Sequence, residues 1–356
     1  MLRRADATTT GLTMSSSQSA RISVPNPPMN IRNAASVLQG APFLAMDVGG
    51  TNARLAIVQR KPDGTIGILD QQQYAGARFD SLNDIAADFL STRGPVDDIA
   101  IGCTGVLRDD KVMSNNLPWP VSLAELRSLG IARVAVVNDF VAVAHAVQCM
   151  SPDNSVLLSG PTVAMPGPTL VVGPGTGLGA AYRIPTGNRT AVLPSEAGQI
   201  ALAPGNPREL AVLAKMMENR SHVSAEQITS GPGLLKLYRT LCALDGVPAR
   251  QETPAAVTDA ARAGETQALE AVLMFCDVLG SQLGDLALVG SATSVYIAGG
   301  IVSKMRDFMD RSRFHARFIN KGVMRAALDQ VPVWLIDYPH TGLVGAAAWY
   351  LEQSAA

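Results

Sequence analysis

The chain twice lays one apolar strand against another through a glycine-rich tip. In residues 43–58, FLAMDVGGTNARLAIV, two apolar runs flank Asp47-Val48-Gly49-Gly50-Thr51-Asn52, and in residues 169–184, TLVVGPGTGLGAAYRI, two more flank Gly175-Thr176-Gly177. Paired glycines open backbone conformations closed to other residues and let a ligand approach the main chain. Taken alone, the first tip is equally well a plain hairpin turn. Thr51 and Asn52 can donate hydrogen bonds, and Asp47, at a strand end, suits the water shell of a Mg2+ ion. The second tip meets the loose pattern G-x-G-x-x-G/A through Gly175, Gly177 and Ala180, yet Pro185 and Gly187 follow where a dinucleotide-binding fold needs a helix. No Lys follows these glycines, so the tip is not a Walker A loop. A glycine-lined turn between strands offers amide N–H groups to an anion instead. Two such tips in equivalent places predict two jaws on one polyphosphate.

Around the tips the pattern is α/β. The spacing of Ile85, Phe89 and Leu90 predicts a helix over 81–94, residues 98–105 read as a buried strand, and Ser122 with Glu125 gives a capping box for a helix over 121–130. A strand over 133–139 runs into a helix over 140–150. The Pro/Gly/Ser-rich stretch that follows, with one short strand inside it, marks a boundary. Beyond it come helices over 206–219 and 269–289, strands over 294–300 and 331–338, and a closing helix over 341–353. The expected division is a small α/β domain over 41–149, completed by 341–356, and a large one over 150–340. Residues 1–40 are rich in Ser, Thr, Asn and Pro and lack an apolar signal core, which predicts a disordered tail rather than a secretory leader.

Composition removes several classes. At 356 residues and 47% apolar the chain can bury a sizeable core. A net charge of -1 with 17% charged residues argues against an electrostatic nucleic-acid binder or a polybasic membrane anchor. No apolar run in the sequence approaches the roughly 20 residues of a membrane span. The cysteines are scattered without a CxxC pair, as are the four His, which predicts reduced thiols, a cytoplasmic setting and no His/Cys metal cage.

Asn138 and Asp139 end a strand and start a helix. There the helix dipole favours an ionised carboxylate, which suits a base that takes a hydroxyl proton. A plain N-cap, worth about 1 kcal/mol, explains the same residue. Gly299-Gly300 after a strand gives a flat base access to backbone, or simply turns the chain into a helix.

The segments DVGGTNARL, NDFVAVAHAV, GPGTGLGAA, LPSEAGQI, HVSAEQITSGPGLLKLYR and IAGGIV stand in the order seen in bacterial glucokinases, and residues 43–352 resemble that family. These are sugar kinases, and the resemblance implies a two-lobed actin-like ATPase (ribonuclease H-like) α/β fold with the active-site cleft between lobes. It implies transfer of the γ-phosphoryl group of ATP to the 6-hydroxyl of glucose, with Mg2+, in a homodimer without nucleic-acid or membrane partners. By the same resemblance Asp139 is the catalytic base, and Asn115, Asn138, Glu196, Gln199 and Glu226 contact the sugar. Asp47, Gly49, Gly50, Thr51, Asn52 and Arg54 contact the phosphates and the ion from one lobe, and Gly175, Thr176 and Gly177 contact the phosphates from the other. Gly299 and Gly300 lie beside adenosine.

The usual family form is close to LPGEGGHV. This chain has Ser195 and Ala197 for two glycines and Gln199 for the His that meets the sugar near C1 and C2. A 2-substituted hexose such as N-acetylglucosamine is therefore an alternative acceptor. A non-catalytic sugar sensor and a chaperone or filament ATPase are alternatives of other classes. The small residues Ala142, Ala144 and Ala146 on one helix, and Gly345 to Ala348 on another, let two helices approach closely, and the resemblance implies that these helices cross at a hinge between lobes that closes on sugar.

Overall fold

The computed structural model describes residues 40–354 apart from 115, 116, 151 and 188. The expected tail, but for Gly40, and Asn115 lie outside the described residues.

The first half supplies β1 (Phe43–Val48), β2 (Asn52–Arg60), β3 (Ile66–Ala75), α1 (Leu82–Ser91), β4 (Asp98–Cys103), β5 (Val106–Arg108), β6 (Lys111–Met113), β7 (Val121–Ser122), α2 (Leu123–Arg127), β8 (Arg133–Asn138) and α3 (Asp139–Ala146). The second half supplies β9 (Ser155–Ser159), β10 (Thr169–Pro174), β11 (Leu178–Thr186), β12 (Arg189–Ser195), α4 (Pro207–Met217), α5 (Gly231–Asp245), α6 (Pro254–Arg262), α7 (Thr266–Val289) and β13 (Ser294–Ile297). It ends with the short α8 (Gly300–Lys304), α9 (Arg306–Met309), α10 (Phe314–Phe318) and α11 (Arg325–Leu328), then β14 (Val333–Ile336) and α12 (Thr341–Ser354).

Two sheets share one plan. The first runs β3-β2-β1-β4-β8 and the second β12-β11-β10-β13-β14-β9, with a small β5-β6-β7 sheet beside the first. In each, a hairpin of antiparallel strands is followed by two parallel strands: β1 pairs antiparallel with β2 and parallel with β4, and β10 pairs antiparallel with β11 and parallel with β13. The two glycine tips thus occupy equivalent corners of equivalent sheets.

Strand alternation decides what each face buries. Along β1, Leu44, Met46 and Val48 enter the core with α1 and α2, through Leu82, Ile85, Phe89, Leu123 and Leu126. Phe43 and Ala45 point the other way and pack with Leu343, Ala346, Ala347 and Tyr350 of α12. Asp47 shares that second face. Along β10, Leu170 and Val172 join the large core under α5 and α7, while Val171 meets Ala144 of α3. Serines set the helix starts: Ser81 accepts from Asp84 N–H at 3.1 Å, and Ser122 from Glu125 N–H at 3.3 Å.

One element departs from the expected absence of long apolar runs. Helix α7, 24 residues, is long and apolar enough to cross a bilayer, but 72% of its apolar window is buried inside the protein, the pattern of a core helix. The expected small-residue crossing is present. Ala142, Ala144, Ala346 and Ala347 are fully buried, and a β-carbon at Gly345 would stand 2.0 Å from the Ala142 carbonyl oxygen. Only glycine lets α12 approach α3 this closely.

Candidate active site

The first tip closes on itself when Gly49 N–H donates to Asn52 O at 3.0 Å, and Gly76 N–H clips it by donating to Thr51 O at 2.9 Å. Asp47 ends β1 beside it. Its carboxylate accepts from Arg54 Nη1 at 3.1 Å, and Arg54 also reaches Gln73 at 3.2 Å. Burial pushes the Asp47 carboxyl upward, and the charge and hydrogen bond of Arg54 oppose that rise. Behind it stands the start of α12: a β-carbon at Gly342 would lie 2.5 Å from the Asp47 carboxyl carbon. The sequence reading missed Gly342. Its signal is a glycine in the first turn of the closing helix.

Strand register relates Asp47 to the next carboxylate. Val48 pairs with Cys103, and Cys103 with Asn138. Two strand spacings therefore separate the end of β1 from the end of β8, roughly 10 Å. Asn138 caps α3, its Oδ1 accepting from Phe140 N–H at 3.0 Å and Val141 N–H at 3.2 Å. Between the two readings of this pair, the cap of α3 belongs to Asn138. Burial raises the Asp139 carboxyl to about 6, helped by the charge of Asp47 and opposed by the Phe140 N–H at 2.9 Å. The helix dipole alone predicts a lower value, so desolvation wins here. Asp139 is still ionised at neutral pH. Cys103, between the two acids, is pushed up to about 12, first by burial and then by their charges, and stays a thiol.

The second tip is held from three sides. Gly175 N–H donates to Gly177 O at 2.8 Å within the turn, and Gly231 N–H at the start of α5 donates to Gly175 O at 2.9 Å. Gly299, at φ 95°, backs onto Pro174, where a β-carbon would stand 2.9 Å from the carbonyl oxygen. This places Gly299-Gly300, both exposed, beside the tip. The docking of α5 on the tip was not read from the sequence; the Ser230-Gly231-Pro232-Gly233 run is its signal.

The third side is Glu226. Its Oε2 accepts from Leu178 N–H at 2.9 Å and its Oε1 from Gln199 Nε2 at 3.2 Å. A β-carbon at Gly177 would lie 2.6 Å from Oε2. Glu196 and Gln199 flank a single 3-10 turn, with Gln199 N–H donating to Glu196 O at 2.9 Å. Three residues apart in such a turn, they share one face, and both are exposed. The geometry therefore brings Gln199, Glu226, Gly177 and Gly175 into one group, with Glu196 one turn away. Asp47, Arg54, Thr51 and Asn52 form a second group, and Asp139 lies within the field of Asp47.

A single carboxylate beside exposed turn amides suits a magnesium ion, which keeps most of its water and takes phosphate oxygens as further ligands. Asp47 fits that demand, being partly buried with one side engaged by Arg54.

Comparison with known proteins gives a consistent result. The family model described as Glucokinase matches residues 44–353. A protein named glucokinase-like from Xylella fastidiosa (strain Temecula1 / ATCC 700964) is 44% identical over 341 residues, covering 93% of this chain and 99% of its own. The crystal structure of a glucokinase from an Antarctic psychrotroph superposes with a TM-score of 0.78 at 33% identity, covering 86% of this chain and 98% of that one. A ROK family glucokinase from Streptomyces griseus, in complex with glucose and AMPPNP, gives 0.58 at 20% identity, covering 87% and 99%; at that identity the likeness is one of fold.

Proposed function

This chain belongs to the glucokinase family and has the two-lobed actin-like ATPase fold of sugar kinases, and on that premise we propose that it transfers the γ-phosphoryl group of ATP to the 6-hydroxyl of glucose. One contact carries the reading. Glu226, a hydroxyl-binding carboxylate, hydrogen-bonds the Leu178 amide of the phosphate-side tip, so a sugar held by Glu226 lies next to a phosphate held by the tip.

In this mechanism the lobes are the first sheet with α12 (41–149 and 341–356) and the second sheet with its helices (150–340). Thr51, Asn52, Arg54 and the amides of Gly49 and Gly50 hold the triphosphate from one side. Gly175, Thr176 and Gly177 hold it from the other, with Gly299 and Gly300 beside the adenosine. Asn138, Glu196, Gln199 and Glu226 orient the hexose through its hydroxyls, which both donate and accept. Asp139 aligns the attacking hydroxyl and takes its proton late, since phosphoryl transfer passes through a loose transition state. Asp47 would hold a Mg2+ ion through water; when bound, the ion neutralises phosphate charge. The same family premise supports a cytoplasmic homodimer.

Gln199 favours a second acceptor. Its amide is engaged by Glu226, and it carries no charge where the family has His, so the wall near C2 differs from that of a glucose-selective site. A coupled ADP-release assay with ATP and Mg2+ across a hexose panel tests both readings. Glucose as the best acceptor supports the proposal, N-acetylglucosamine as the best replaces the acceptor, and ADP release indifferent to any sugar overturns the kinase reading.

A further inference from the structure

Phe140 follows the proposed base directly, and its ring does not stay with its own sheet. Gly173 and Gly179 are register partners across the β10–β11 hairpin, on the two strands that carry the second tip. A β-carbon at Gly173 would stand 2.3 Å from Phe140 Cζ, and one at Gly179 2.1 Å from Cδ2. The cross-strand glycine pair thus forms a socket, and the ring fills the space of both missing side chains. At its other end Phe140 is tied to the acid: its N–H donates to Asp139 Oδ1 and to the Asn138 cap. Around the socket, Val143, Val147 and Ala144 of the same helical stretch meet Val171 and Ala181 of the hairpin, so the ring is one end of a packed seam.

We infer that Phe140 is a positioning residue that sets the separation between the Asp139 carboxylate and the phosphate-side tip by seating in the Gly173/Gly179 socket. This rests on the kinase reading for what the two ends do. The link between the socket and the carboxylate is stiff. A ring held between two backbones has little freedom, and its own backbone amide holds the carboxylate. A shift of the hairpin is passed to the base with no flexible side chain between, and phosphoryl transfer loses about 10²-fold for misplacement on the order of 1 Å.

A double-mutant cycle tests it. Phe140→Ala should lower kcat by about tenfold or more while the KM values for sugar and ATP stay within about threefold, and Phe140→Leu should restore most of the loss. Gly179→Ala should lower kcat comparably while Phe140 is present, because the new methyl displaces the ring. In the Phe140→Ala background the same change should cost less than about twofold. Additive losses, or a Phe140→Ala enzyme with wild-type kcat, would overturn the inference. Amide hydrogen exchange over 175–178 in the same variants needs no turnover and separates failure here from failure of the kinase reading. Phe140→Ala should speed exchange at these amides, and unchanged exchange would also sink the idea.

Discussion

At the residue scale, the proposed chemistry turns on a carboxylate kept in an unfavourable place. Burial holds Asp139 at about 6, so its titration falls close to working pH. The base form is the ionised one, so kcat should be level above pH 7 and fall about tenfold per unit below pH 6. A profile flat down to pH 5 would remove Asp139 from its role. The same burial has a sign for stability. A carboxyl raised above its unfolded value stabilises the fold only when protonated, below the unfolded pKa, and that contribution is lost as pH rises through about 6. Asp139→Asn should therefore raise the melting temperature at pH 7.5 and leave the gain absent at pH 4, while kcat drops by about 10²-fold or more. Gly342→Ala makes a second prediction at this scale. Its methyl cannot share space with the Asp47 carboxyl, so the Mg2+ dependence of turnover should shift to higher concentration with the sugar KM little changed.

At the scale of elements, α3 and α12 cross at glycine distance. Gly345→Val should force them apart, costing about 1–3 kcal/mol of stability and raising the sugar KM. Thermal unfolding and initial rates read both, and wild-type values for each would remove the hinge assignment. Much of this framework was legible in the sequence. β1–β2 and β10–β11 announced themselves by apolar runs around glycines, α1 by its apolar spacing, α2 by its Ser cap, and α12 by its small residues. Other elements carried weaker signals. β3, with the polar run Asp70 to Gln73 exposed, is an edge strand held by pairing with β2 rather than by an apolar face. β12 is largely exposed in the same way. The site was legible as a set of motifs but not as contacts. Which of Asn138 and Asp139 caps α3, and how far burial lifts the acid, depend on packing from α12 and the second sheet. Residues such as Gly342, Gly231 and the Gly173/Gly179 pair gain meaning only from what lies opposite them.

For the whole molecule, two sheets of the same plan carry equivalent glycine tips, and Glu226 braces the second of them. If the chain phosphorylates a hexose as proposed, the attacking hydroxyl is missing before sugar binds and water is a poor substitute. ATP hydrolysis without sugar should therefore run far below the rate with it. The central claim is that Asp139 directs a hexose hydroxyl onto the terminal phosphate of ATP. Phosphorus NMR of the product formed from glucose, Mg2+ and ATP, with wild type and Asp139→Asn side by side, tests it most directly. The account predicts glucose 6-phosphate from the wild type, and the same product at least about 10²-fold more slowly from the variant. Phosphate on another position, inorganic phosphate alone, or equal rates from both proteins would contradict it.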